Sequence, residues 1–426
     1  MEFKKYLLSD LYHVSSGLSK KREEFGFGYD FLTFKEVFHN IFLPDRLTEL
    51  ANTTDKERES CSIKKGDVFL TRTSEKLDEL GLSSVALKDY QNATFNGFTK
   101  RLRPKKLCTE ILLPKYAAFY YRSQNFRNQI TSFASMTTRA SLNNEMISKL
   151  TIEIPPIIYQ EKFIYIIDNL LKKEKNNFLI VSTLEEISQI LFKRWFIDFE
   201  FPNEEGHPYR SSGGEMIKSN LGEIPSRFTI SKANDIFDIN IGKTPSRKDK
   251  EMFSKNMGVV WASIADLKNQ KPFIFDSKEY LISEAITKYN VKIVPKQSVL
   301  LSFKLTVGRV AITAQEMATN EAIAHFNQNN NSPGAEYTYL YLKNFNYESL
   351  GNTSSIATAV NSKIIKDMLI LVPNNEVLIK FYKMIKLLFE QIKNLQTEII
   401  TLQKNRDTLL PKLLSGEIEI SEELMV

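Results

Sequence analysis

The sequence predicts an α+β protein: two pseudo-symmetric globular units joined by two long helices that form an antiparallel coiled coil. Three observations predict it. An internal repeat runs the length of the chain, each half opens with short β-rich runs between turn signals, and each half closes on a long helical pattern of apolar residues.

The repeat is collinear. SLNNEMISKLTIEIPP, from Ser141, matches AVNSKIIKDMLILVPN, from Ala359, with Asn143 on Asn361 and Pro155 on Pro373 at an offset of 218. Upstream, LSDLYHVSSG matches ANDIFDINIG, with Gly17 on Gly242 at 225. Phe31 falls on Trp261 at 230, Val68 on Val299 at 231, and Asn96 on Asn320 at 224. The order holds while the offset drifts, as in a duplicated unit with small insertions.

The pattern divides the chain into a first globular unit (1–155), a central helix (156–200), a crossover (201–224), a second unit (225–373), a distal helix (374–414) and a tail (415–426). In each unit, runs such as DVFLTR, KLTIEIP, SVLLSF and MLILVP read as strands. The central helix has an apolar seam of Phe163, Ile167, Leu170, Val181, Leu184 and Leu191, interrupted by Glu174, Asn177 and Ser188. Polar seam positions of this kind set register. The distal seam is fuller: Phe381, Ile385, Leu388, Ile392, Leu395, Ile399, Leu402 and Leu409, broken only at Arg406. The steps of four and three are those of a heptad, and each seam of ~33 residues spans roughly 50 Å. The alternative is that each helix packs only on its own globular unit. The crossover is rich in Pro, Gly, Ser and Asn and reads as an ordered-to-flexible connection.

The bulk numbers exclude several classes. Among 426 residues, 57 Lys+Arg face 51 Asp+Glu, a net charge of +6, so a polyanion site requires local clustering. Two cysteines, Cys61 and Cys108, make no disulfide framework, and a reducing cytoplasm is the expectation. No run approaches the ~20 apolar residues of a membrane span, so no membrane partner is expected. The four histidines are scattered and no Cys/His spacing suits zinc, so no metal is expected.

IGKTPS (241–246) contains the last part of a phosphate-binding P-loop. The first glycine of that motif would fall at 237, where Phe237 stands, and Pro245 removes an amide where the following helix should begin. Nucleotide binding is therefore rejected. No Asp/Asn/Ser-Pro-Pro-aromatic tetrapeptide of an amino-methyltransferase occurs; IPPI (154–157) lacks the polar residue. Asp249 with Asp266-Leu267-Lys268 fits a metal-nuclease pattern only loosely. No catalytic residue is assigned.

Basic residues cluster with hydroxyls in corresponding loops of the halves. In the first half these are Lys20, Lys21, Arg22, Arg72, Thr73, Lys100, Arg101, Arg103, Thr137, Thr138 and Arg139. In the second they are Lys243, Thr244, Ser246, Arg247, Lys248, Lys304 and Arg309. Lys and Arg neutralise phosphates and release counterions, and Arg grips a guanine edge with two hydrogen bonds. The partner expected is a nucleic acid. For any one cluster, a merely solvated surface is the competing reading.

LFKRWFIDFEFP (191–202), YRSSGGEMIKSNLGEIPSRF (209–228), the GKTPS loop followed by WASIADL, and LLPKLLSGEIEI (409–420) together resemble the specificity subunits of type I restriction–modification systems. The resemblance covers nearly the whole chain. It implies two target recognition domains, each reading one half of a split sequence in double-stranded DNA, with the helices as a ruler between half-sites, and it adds Ser354 and Ser355 to the DNA-facing residues of the second. It implies docking of two methyltransferase (modification) subunits that carry S-adenosylmethionine and methylate adenine, and of motor–nuclease (restriction) subunits that use ATP and Mg. No cofactor would then belong to this chain, and the chain would not itself be an enzyme. The alternative is a self-contained restriction endonuclease or DNA methyltransferase.

Overall fold

The repeat read in the sequence is a repeat of topology. The protein is seen in a computed structural model that describes residues 2–74, 76–133, 140–268, 271–350 and 360–421. Two units separate: Met1–Lys173 with Leu402–Val426, and Glu174–Thr401.

In the first unit, strand Lys4–Leu7 pairs antiparallel with Thr151–Ile154; in the second, Thr229–Lys232 pairs antiparallel with Leu369–Val372. The opening strand leads in both cases into one helical turn, Leu8–Leu11 or Ala233–Ile236. The closing strand follows a short helix whose N-cap is Asn143 or Asn361. Each caps with its side-chain oxygen, accepting from Met146 N in one unit and from Lys363 N and Ile364 N in the other. Asparagine satisfies amides that the first helical turn leaves without partners, which fixes where the helix begins.

Between these pairs lies the main sheet. In the first unit its order is Tyr12–Ser16, Thr99–Pro104, Val68–Thr71, Ser83–Val85, all antiparallel. In the second it is Asp238–Ile241, Ile323–Asn327, Val299–Ser302, Val310–Thr313, with Phe273–Ile274 added in parallel at the edge. A smaller sheet repeats as well. Phe25–Leu32 runs parallel to Thr94–Phe95, and Val259–Ala262 runs parallel to Ala318–Thr319. Gly66 and Gln297 mark the same turn ahead of the central strand. Both take left-handed backbone, at φ 89° and 68°.

The first core joins Val68, Leu70 and Leu102 to Phe163 and Ile167 of the first long helix and Leu413 of the second. The second core joins Val299, Leu301 and Phe326 to Val181 and Trp195 of one helix and to Phe381, Ile385, Ile392, Leu395 and Ile399 of the other. Full burial of a side chain such as Phe381 stabilises by about 1.5–3 kcal/mol. Leu170 and Leu409 pack against the first core, and Leu184, Leu191 and Leu388 against the second; Leu402 is half-buried.

The helices, Ile157–Phe196 and Asn375–Ser415, pair antiparallel. In the second unit, Trp195 meets Phe381 with ring centroids 5.6 Å apart, while Asn177 Nδ2 donates to Glu398 Oε2 at 2.8 Å. Asn177 is thus a buried polar seam residue with a named partner, as register-setting requires. The second helix also faces its own sheet, in addition to its partner helix. Phe389 packs on Phe273 and Tyr339, and the Gln396 amide bonds both backbone groups of Phe273.

The crossover carries regular structure and aromatic packing. Its Phe201 ring stacks on Tyr209 at 4.6 Å and on Phe228 at 5.2 Å, and Met216–Ser219 pairs with Gly222–Pro225 as a hairpin.

Candidate nucleic-acid interface

Strand direction gathers the basic loops. In the second unit, Ile241 ends its strand opposite Ala324, Ile323 lies opposite Ser302, and Val310 lies opposite Leu301. The loops at 242–248, 303–309 and 320–322 therefore leave the same end of the sheet. In the first unit, Ser16 lies opposite Lys100, Thr71 opposite Thr99, and Leu70 opposite Ser83. The loops at 17–22, 72–81 and 96–98 leave the corresponding end.

Gly17 and Gly242 hold the first loop down on the third. A Cβ at Gly17 would come within 2.4 Å of Asn96 O, and one at Gly242 within 2.1 Å of Asn320 O. No larger residue fits either approach. In the second unit, Gly242 N donates to Ile323 O and Lys243 N donates to Thr319 O. These amides are spent inside the protein and no phosphate cradle forms, which is the structural reason the P-loop likeness fails.

The first unit carries an unusual pair of cations. Lys100 is buried, and its ammonium donates to Ser16 Oγ at 2.8 Å and Asn144 Oδ1 at 2.7 Å, both neutral. Burial, then the nearby positive charge of Arg72, lowers the Lys100 pKa. The Arg72 Nε is buried and has no hydrogen-bond partner. Among the described residues, neither cation has a carboxylate partner. Thr73 lies beside them, its strand paired with Ala140–Ser141.

Other candidates are bonded internally. Lys20 bridges Glu24 at 3.2 Å and Glu57 at 2.8 Å; the bond to Glu57 does most to raise its pKa. Lys21 and Arg22 next to it are exposed. Arg101 donates to Ser62 O, and Arg103 makes a two-point bond to Asp67, at 2.9 and 2.6 Å. Arg101 and Arg103 point away from the side of the strand that carries Lys100. Both are thus bonded within the fold, on the side of the strand away from Lys100. Thr137, Thr138, Arg139, Ser354 and Ser355 lie outside the described residues.

In the second unit, Arg247 forms a two-point bond with Glu279, both contacts at 2.8 Å. Its guanidinium lies over Phe253 and Trp261, at 4.3 and 4.8 Å from the ring centroids. Trp261 also donates from Nε1 to Lys243 O, so WASIADL forms the floor of the GKTPS loop. Thr244 donates to Glu321. Lys243, Ser246, Lys248 and Lys304 are exposed. Arg309 donates to Ile264 O at 2.7 Å. The positions that match Arg72 and Lys100 by strand register are Phe303 and Ala324, so this unit lacks the buried pair and carries its cations on loops.

Sequence reasoning missed Ser16, Asn144, Glu279 and Glu321, whose roles are set by distant partners. It also missed the turn at 96–98, although its Asn-Gly dipeptide is a hairpin signal. The nuclease candidates are occupied. Asp249 binds Lys288 and Tyr289, and Asp266 accepts from Ser263 N and Oγ. Among the described residues no group of three His, Cys, Asp or Glu is set to hold a metal, and no helix is long and apolar enough to cross a membrane.

A duplicated α+β protein with a basic loop edge on each copy is the class that fold and site define. The family model for the type I restriction modification DNA specificity domain matches residues 1–180 and again 225–405, and the chain belongs to that family. It is 24% identical over 432 residues to the type I restriction enzyme MjaIX specificity subunit of Methanocaldococcus jannaschii, covering 97% of this chain and 93% of that one. It is 24% identical over 477 residues to the HindI specificity subunit of Haemophilus influenzae, covering 98% and 100%. The fold is similar to that of the S subunit from M. genitalium, with a TM-score of 0.54 at 14% identity and coverage of 99% and 97%.

Proposed function

We propose that this chain is the non-catalytic specificity subunit of a type I restriction–modification complex. Each globular unit reads one half-site of a split DNA target through the basic end of its main sheet. Two modification subunits with S-adenosylmethionine methylate adenine, motor–nuclease subunits use ATP and Mg, and the paired helices set the gap between half-sites.

The observation that carries the reading is the Arg72–Lys100 pair. Two neighbouring cations, one buried, with no carboxylate partner among the described residues, cost stability in the free protein. Such a site is completed by an anion, and a DNA phosphate supplies one together with counterion release. The self-contained enzyme reading has no comparable support, because Asp249 and Asp266 are already bonded to other groups.

The test is Arg72→Ala in the full chain bound to its modification subunits. Expected is a melting temperature no lower than wild type, because an unpartnered buried Nε is removed. DNA affinity falls, and the slope of log K against log salt shrinks by about 0.9. Unchanged affinity and slope would remove this edge from the interface. Turnover of DNA by the chain alone, with Mg and methyl donor, would favour the enzyme reading.

A further inference from the structure

Each basic sheet end also carries one large apolar side chain that the fold leaves in solvent. In the first unit it is Phe98, 60% exposed, in the turn after Asn96. In the second it is Leu305, 82% exposed, at the apex of the hairpin joining Val299–Ser302 to Val310–Thr313. The two are not repeat equivalents. By strand register, Phe98 corresponds to Ala322 and Leu305 to Ser74. The halves reach the same arrangement from different loops.

Both tips are held rigidly. Phe98 N donates to Asn96 Oδ1 at 2.7 Å, and Phe98 O accepts from Arg72 N at 2.8 Å. Around Leu305, Ser302 Oγ donates to Thr306 O at 2.6 Å and accepts from Arg309 N at 3.0 Å, while Gly308 N donates to Ser302 O. Leu305 itself is left-handed, at φ 62°. A branched apolar residue held there against its preference, with 82% of its surface in solvent, gains nothing for folding. Cations sit on the same loops: Arg72 N donates to Phe98 O, and Lys304 and Arg309 flank Leu305 in the hairpin loop, with the Lys304 ammonium over Phe303 and the Arg309 guanidinium donating to Ile264 O. Glu321 stands nearby but is bonded to Thr244.

We propose that Phe98 and Leu305 are wedges that enter DNA at one base step in each half-site. Apolar side chains inserted between base pairs unstack them and kink the duplex, while flanking cations hold the phosphates. The energy depends on how easily that step deforms, so the wedges add specificity at bases the protein does not hydrogen-bond. The inference rests on the DNA-reading function proposed above.

The test uses the full chain with its modification subunits. The probe is a synthetic duplex of the methylated target with 2-aminopurine placed at one position at a time. Besides the target adenine, which the modification subunits flip out of the stack, wild type should brighten one further position in each half-site, because 2-aminopurine fluoresces when unstacked. Leu305→Gly should abolish the rise in one half-site only and weaken binding by about tenfold or more. Its melting temperature should not fall, since glycine accepts the left-handed turn. Phe98→Ala should do the same in the other half-site, and Leu305→Met should keep the rise. If the complex binds tightly and no position other than the flipped adenine brightens, the wedge falls and the DNA reading stands. If it binds no duplex, both fall. If either variant binds DNA normally but no longer holds the modification subunits, the tips are protein contacts and the proposal is overturned.

Discussion

Arg103→Ala tests the division between residues that hold the fold and residues that face DNA. The Asp67 side chain is wholly buried and the Arg103 side chain is 24% exposed. Arg103 meets Asp67 through Nε and Nη2, and the second carboxylate oxygen also accepts from Lys64 N at 2.8 Å. Removing the guanidinium leaves a buried carboxylate whose charge is no longer balanced. Breaking a buried pair this way costs about 3–5 kcal/mol. For a unit of this size each kcal/mol lowers the melting temperature by about 2–4 °C, so the unit should melt roughly 6–20 °C lower. Circular dichroism melts of the full chain measure the shift. DNA affinity taken well below the new midpoint should be near wild type. A wild-type melt with lost affinity would refute the structural role and place Arg103 at the interface. Asp67→Leu combined with Arg103→Met should recover part of the loss, because the uncompensated charge is gone.

Three further outcomes are expected. Glu279→Gln should tighten DNA binding and steepen its salt dependence by up to about 0.9, because it releases Arg247 and removes a negative charge from the edge; unchanged binding would leave Arg247 as a purely structural residue. Burial holds the His325 ring at a pKa of about 4, below its ordinary 6.5, with its Nε2 2.7 Å from Thr319 Oγ1. The unfolded chain therefore binds the extra proton first. The stability is fully present above pH 6.5 and is lost as pH falls toward 4, by about 3 kcal/mol in all. His325→Gln should show a smaller drop in melting temperature than wild type over that window, and parallel curves would exclude the effect. Finally, four residues inserted at matched points of both long helices add about 6 Å to each. The gap between methylated adenines should change or modification should cease, and the same gap at the same rate would end the spacer role.

What was legible in the sequence was whatever repeats or recurs locally. The offsets of 218 to 231 reappear as equivalent strands and N-caps. The heptad steps reappear as one antiparallel helix pair. Phe237 and Pro245 were enough to reject the P-loop. Tertiary structure decided which cations are free. Lys20 is taken by Glu57, 37 residues away, and Arg103 by Asp67, 36 away. Lys100 is held by Ser16 and Asn144, 84 and 44 away. A basic run looks the same in sequence whether its charges are paired or not. Pairing is set by which strands lie side by side, and that follows from the burial of the whole sheet rather than from the loop. The same holds for Phe98 and Leu305: sequence shows an apolar residue beside cations, and only the fold leaves it without a core to enter.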